Sequence, residues 1–130
     1  MAVLNVNVID IVKEFKELLK AVHKDNLKAV ILYGSMARGD FDDESDIDVL
    51  VVLNEMSDYV EELDKTFQIQ YELEMKYDCD FIISCVITTF KDYETKIEPL
   101  FLNIHREGIS IWKKNLAWWF VKPKEVLMRL

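Results

Sequence analysis

Apolar and polar positions along this chain follow two different periods, and the changes of period mark its elements. Val8, Ile11, Val12, Phe15, Leu18, Leu19 and Val22 recur at helical spacing with Lys and Glu between them. This predicts a helix over Val8 to Val22 with one buried stripe and Asn7 as its N-cap. Lys24 to Asn26 breaks the pattern, and strands are predicted over Lys28 to Tyr33 and Asp46 to Leu53. The second strand is apolar on both faces once its aspartates are passed, which marks an interior strand covered by helices. Between the two, Ser35 is placed to cap a short helix that Gly39 ends, and Phe41 to Ser45 form a loop.

After a turn at Asn54 to Ser57, Asp58 and Glu61 have the spacing of a capping box, and Val60, Leu63, Phe67 and Tyr71 continue at helical spacing to about Lys76. A third strand is predicted over Cys79 to Val86, led by Asp80. Thr88 or Thr89 caps a short segment through Tyr93. Glu98-Pro99 opens another helix, with proline where its missing N–H costs nothing, Leu100, Phe101 and Ile104 as its apolar side and Gly108 as its stop. Ile109 to Trp112 reads as a short edge strand. The order of elements predicts an α/β (α+β) domain, a small mixed sheet backed by helices, with no strand order fixed. The domain spans 1–115, and 116–130 form a C-terminal tail. Its Trp118, Trp119 and Phe120 suit closure of the domain's own core, a homodimer contact or a partner contact.

A length of 130 residues fits one domain with a real core. The net charge of −8 argues against a nucleic-acid backbone as partner, because that binding relies on clustered Lys and Arg. The acidity gathers at Asp40, Asp42, Asp43, Glu44, Asp46 and Asp48, which suits a divalent metal and a basic protein partner. No apolar run approaches a membrane span, and Met1 to Asp10 lacks the features of a signal peptide, so the expected location is the cytoplasm. On one strand, Cys79 and Cys85 would stand roughly 20 Å apart, beyond disulfide reach, so both are expected as buried thiols. His23 and His105 are expected at the solvent edge of helices, and no Cys/His spacing suits zinc.

Asp46 and Asp48 are two apart, so on a strand both carboxylates point to one face. Two such charges repel, and a fold keeps them together when a hard cation such as Mg2+ sits between the oxygens. Gly34 and Ser35 end the preceding strand where a helix begins, and free N–H groups at a helix start attract phosphate. A phosphate cradle facing a two-carboxylate metal site points to nucleotide chemistry. Arg38 suits pairing with phosphate oxygens, and equally with Asp40 or Asp42. Tyr33 is assigned to the core.

The motif G-S-M-A-R-G at Gly34 to Gly39, followed by S-D-I-D-V-L-V at Ser45 to Val51 between apolar strands, resembles the signature of the minimal nucleotidyltransferases of the DNA polymerase beta superfamily. The resemblance implies a palm-like fold and transfer of a nucleoside monophosphate, AMP from ATP, to a hydroxyl. It assigns Asp46 and Asp48 to Mg2+ and Gly34 and Ser35 to the triphosphate. Asp80 would complete a second metal position and help deprotonate the acceptor. Asp78 competes for that role, and Asp80 is preferred because it directly precedes Phe81-Ile82-Ile83. A chain of this brevity further resembles the MntA-type antitoxins that are paired with a HEPN-domain ribonuclease toxin, which implies AMP transfer to a toxin tyrosine. Two rival functions stand beside it: an antitoxin that works by binding alone, and the catalytic subunit of a small-molecule nucleotidyltransferase.

Overall fold

The computed structural model describes residues 7–42 and 44–114. The tail residues 116–130, with Trp118, Trp119 and Phe120, and the loop residue Asp43 lie outside the described residues.

Helix α1 (Val8–His23) is followed by a 3-10 turn and strand β1 (Leu27–Tyr33). The short α2 (Ser35–Arg38) leads to β2 (Ile47–Leu53), then α3 (Tyr59–Lys76), β3 (Ile83–Thr89), α4 (Phe90–Thr95), α5 (Pro99–Glu107) and β4 (Ile109–Lys113). The sheet has the order β3-β2-β1-β4. β1 pairs antiparallel with β2 and β4, and β2 runs parallel to β3. This is the mixed sheet backed by helices that the element order predicts. The doubly apolar β2 does lie inside the sheet, with Ile47, Val49 and Val51 in one core and Leu50 and Val52 in the other. The first core joins the sheet to α1 and α3 through Phe15, Leu19, Ile69 and Leu73. The second lies under α4 and α5 and holds Phe90, Tyr93, Phe101 and Ile104.

Local capping chemistry sets where the helices begin. Asn7 Oδ1 accepts from the N–H groups of Ile9 (3.0 Å) and Asp10 (3.3 Å). Asp58 Oδ1 accepts from Glu61 N–H at 3.1 Å, while the Glu61 carboxylate turns to Lys65 rather than back toward the cap. Thr89, of the two threonines considered, caps α4 by accepting from Asp92 N–H. Gly108 ends α5 in an extended conformation, so its value is space: a Cβ there would lie 2.6 Å from Ile104 O and 2.7 Å from Ile31 Cγ2.

Three expectations are corrected. The third strand starts at Ile83 and not at Cys79, because Asp78 and Cys79 take left-handed φ values of 56° and 57° in the turn that closes α3. In that turn Cys79 N–H bonds to Glu74 O at 2.8 Å, a helix-ending loop that consumes the residues assigned to the strand. Cys79 is therefore an exposed thiol, and only Cys85 sits on β3, where burial pushes its thiol up to about 12. His23 is buried rather than solvent-edged, with Nδ1 2.7 Å from Glu62 Oε2 and Nε2 2.8 Å from Thr66 Oγ1. His105 does lie at a helix edge, its Nε2 2.8 Å from Tyr93 O.

The helical spacing in α3 is real, but its most visible apolar members face outward. Thr66, Ile69 and Leu73 are buried, whereas Val60, Phe67, Tyr71 and Met75 are 65%, 45%, 62% and 49% exposed.

Candidate active site

Strand β1 delivers Tyr33 beside Asp48 of β2, its partner in the antiparallel register. The chain then turns at Gly34, whose φ of 74° and ψ of −157° favour glycine. A second reason for glycine is contact: a Cβ there would overlap Asp48 Oδ2 and stand 3.1 Å from Asp48 Cγ. The turn therefore lies directly against one of the two carboxylates. Gly34, not Ser35, is the N-cap of α2, and Gly34 O accepts from the N–H groups of Ala37 and Arg38 at 3.1 Å. Ser35 is the first helical residue, because a glycine in that backbone conformation is what reverses the chain. Gly39 ends α2 in the left-handed conformation.

Asp48 is half-buried and Asp46, just ahead of β2, is exposed. Burial pushes the Asp48 carboxyl above its ordinary range, the Asp46 charge pushes it further, and Arg38 draws it back. That combination describes two neighbouring carboxylates without full compensation, a donor set of hard oxygens that a small divalent cation fits. Mg2+ is commonly held by one or two carboxylates with substrate phosphates and water completing its shell. The loop that presents Asp46 is shaped by Asp42, whose Oδ1 accepts from Glu44 N–H at 2.9 Å, and whose N–H bonds to Ser45 Oγ.

Asp80 is not brought to this pair. It is exposed, in the turn after α3, and the β3 residue in register with Asp48 is Ser84. Asp78 belongs to the same turn, so neither has the strand parity assigned to it. Among the described residues no group of three His, Cys, Asp or Glu side chains could hold a metal ion together. The start of β3 is instead pinned by α3: Glu74 Oε2 accepts from Ile83 N–H and Gln70 Nε2 donates to Ile83 O, both at 2.8 Å.

Arg38 pairs with Asp40, one of the two neighbouring carboxylates its position offers, through Nε at 3.1 Å. Its Nη1 reaches Glu107 of α5 at 3.3 Å, a contact that the sequence does not announce. Both residues of this pair line a cleft of about 170 Å³, together with Tyr33, Gly34, Leu100, Asn103 and Ile104. Tyr33 packs half-buried against the second core and also forms a wall of this cleft, where burial followed by the Asp48 charge pushes its phenol up to about 12. The α5 wall was the part missed. Its signal was present as Leu100, Asn103, Ile104 and Glu107 at i, i+3, i+4 and i+7, one face of a helix.

The family model described as Nucleotidyltransferase domain matches residues 9–111. The chain belongs to the nucleotidyltransferase family. It is 38% identical over 105 residues to the Methanocaldococcus jannaschii protein named "Putative protein adenylyltransferase MJ0141", covering 80% of this chain and 98% of that protein. A second protein of that organism, "Putative protein adenylyltransferase MJ0604", is 34% identical over 98 residues, or 75% of this chain and 90% of that one. The fold is shared with solved structures of toxin–antitoxin proteins. One, the MntA-HpeT toxin-antitoxin mutant, aligns with a TM-score of 0.58 and 15% identity over 95% of this chain and 85% of that chain. Another is the tri-AMPylated Shewanella oneidensis HEPN toxin in complex with MNT antitoxin, with a TM-score of 0.55 and 12% identity over 94% and 85% of the two chains. As a nucleotidyltransferase, this enzyme carries its glycine-serine turn and its paired aspartates at one end of β1 and β2. No helix among the described residues is long and apolar enough to cross a membrane.

Proposed function

We propose that the enzyme transfers AMP from ATP to a hydroxyl of a protein acceptor, and that this acceptor is a tyrosine of a HEPN-domain toxin. The observation that carries the reading is the contact of Gly34 with Asp48, which sets the glycine turn directly against one carboxylate of the Asp46–Asp48 pair. The relatives named protein adenylyltransferases support a protein acceptor, and the solved complex with an AMPylated HEPN toxin supports its class.

In this reading Asp46 and Asp48 hold Mg2+, and the Gly34-Ser35 turn receives the triphosphate. The ion, when bound, supplies Lewis-acid stabilisation of charge on the phosphate oxygens. The acceptor oxygen bonds to the α-phosphorus, the α–β anhydride bond breaks, pyrophosphate leaves and the hydroxyl proton passes to water. Gly34 holds the turn close to Asp48, and Tyr33 closes the side of the site as a neutral phenol. Arg38, already paired with Asp40 and Glu107, fixes α2 against α5 and offsets part of the carboxylate charge. Asp80 has no part in the chemistry proposed here, and one ion held by two carboxylates and substrate is the simplest arrangement.

One observation favours a second reading, neutralisation of a partner by contact: the outward stripe Val60, Phe67, Tyr71 and Met75 on α3. Single exposed apolar residues are ordinary, but four aligned on one helix suit a docking surface. Incubation with ATP labelled on the α-phosphate, Mg2+ and the purified protein encoded beside this one separates the two. The catalytic reading expects label on a partner tyrosine, lost with Asp48→Asn. Label only on small molecules, or stable complex formation without label, overturns it.

A further inference from the structure

We propose that the cleft between Tyr33 and α5 is the nucleobase subsite, and that Asn103 selects adenine over guanine. The inference rests on the reading of the site as an ATP site and adds to it the residue that reads the base. The cleft adjoins Gly34, so a nucleotide whose phosphates lie on the turn has its nucleoside end within reach of α5. A volume of about 170 Å³ is below the usual 300–1,000 Å³ of whole-ligand pockets and suits one flat portion of a nucleotide.

The lining matches a base in both of its properties. Leu100, Ile104 and the Tyr33 ring offer apolar and aromatic surface for its faces. Asn103 and Glu107, one turn apart on the same side of α5, offer polar atoms for its edge. A carboxamide donates and accepts side by side, which complements the N6 amino group and N7 of adenine. Guanine presents two acceptors, O6 and N7, at that edge, and arginine is the side chain that pairs with them. The cleft does contain Arg38, but its Nε and Nη1 are engaged by Asp40 and Glu107. Glu107 is an acceptor only, so at this same edge it can pair with the adenine amino group and not with O6 of guanine. The Asn103 Oδ1 accepts from Arg106 Nη2, which leaves its amide donors and a second lone pair for the base.

Binding of ATP and of GTP to the full chain is measured by calorimetry with Mg2+ present, for the wild type and for Asn103→Ala. Asn103 is exposed on a helix, where alanine is the better helix former, so the variant folds. The wild type is expected to prefer ATP, and the variant to lose about ten-fold or more of that preference through weaker ATP binding. In the transfer assay the loss appears in KM for ATP, with kcat little changed. Equal binding of the two nucleotides by the wild type overturns the proposal. So does an unchanged ratio in the variant, or an effect confined to KM of the acceptor, which would make the cleft an acceptor site. ATP-selective binding that depends on Asn103, without AMP transfer to any protein, upholds the subsite and refutes the adenylyltransferase reading.

Discussion

Gly34 and Asp48 meet so closely that a methyl group on the first would occupy the place of a carboxylate oxygen of the second. Asp48 lies on β2 and Gly34 in the turn that follows β1, and the glycine also has a positive φ of 74°. Alanine at this position therefore meets two penalties. The backbone conformation costs roughly 1–2 kcal/mol for an L side chain, and relief of the overlap swings Asp48 away. Gly34→Ala is expected to lower stability by about 2 kcal/mol or more, and to weaken ATP binding beyond what the lost stability explains. Denaturant unfolding and calorimetric titration of the still-folded fraction check both.

Asp48→Asn is expected to act in opposite directions on activity and on stability. Burial and Asp46 raise the Asp48 carboxyl, so the folded state holds its proton more tightly than the unfolded chain does. A raised carboxyl contributes stability below its unfolded range and loses it as pH rises through the folded value. At neutral pH the charged Asp48 is thus a cost, and asparagine removes it. The metal-free variant should unfold at the same or a higher denaturant concentration at pH 7, with the gain fading as pH falls through the carboxylate range. Nucleotidyl transfer should vanish. A clearly less stable variant would show that Asp48 serves the fold instead.

The parts of this fold that were legible in the sequence are those decided by neighbours. Asn7, Asp58 and Thr89 cap the helices they precede because a cap and its donors lie within three residues. The closeness of Asp46 to Asp48 is legible from their spacing, although β2 starts at Ile47 and leaves Asp46 just ahead of the strand assigned to it. What was not legible depends on distant elements. Glu62 and Thr66, which bury His23, lie 39 and 43 residues away. Tyr33 packs on the core as it reads, but the cleft between it and α5 depends on a helix that begins only at Pro99. Asp80 reads as strand because an aspartate before Phe81-Ile82-Ile83 looks like a strand start, whereas the closing turn of α3 claims it. Register across a parallel pair then decides that Ser84 stands beside Asp48.

The two faces of α3 should respond very differently to substitution. Tyr71→Lys and Phe67→Gln alter positions that are more than two-fifths exposed, and each is expected to change stability by under about 0.5 kcal/mol. Leu73→Ala empties a site that is almost fully buried among α1 and sheet residues, and should cost about 2–5 kcal/mol. Denaturant titrations of the three variants test this. A large loss from Tyr71→Lys alone would mean that the outward stripe is covered in solution.

His23 makes stability depend on mild acid. Its ring is buried between α1 and α3, with Glu62 Oε2 at Nδ1, Thr66 Oγ1 at Nε2 and Lys65 bonded to the same Glu62. A neutral ring satisfies the site when Nδ1–H donates to Glu62 and the Thr66 hydroxyl donates to Nε2. Thr66 Oγ1 also lies 2.8 Å from Glu62 O, and a hydroxyl that turned to that carbonyl would demand a proton on Nε2 as well. Burial outweighs the pull of Glu62 and holds the imidazole below its usual 6.5. The unfolded chain therefore binds this proton first as pH falls, so the contribution is whole above the unfolded value and is lost as pH drops toward the folded one. The unfolding midpoint should decline as pH is lowered from 7 to 5. His23→Gln should cost about 1–3 kcal/mol at pH 7 by leaving its partners poorly matched, and should flatten that decline. A variant that keeps the full slope between pH 7 and 5 would assign the acid sensitivity to the carboxylates.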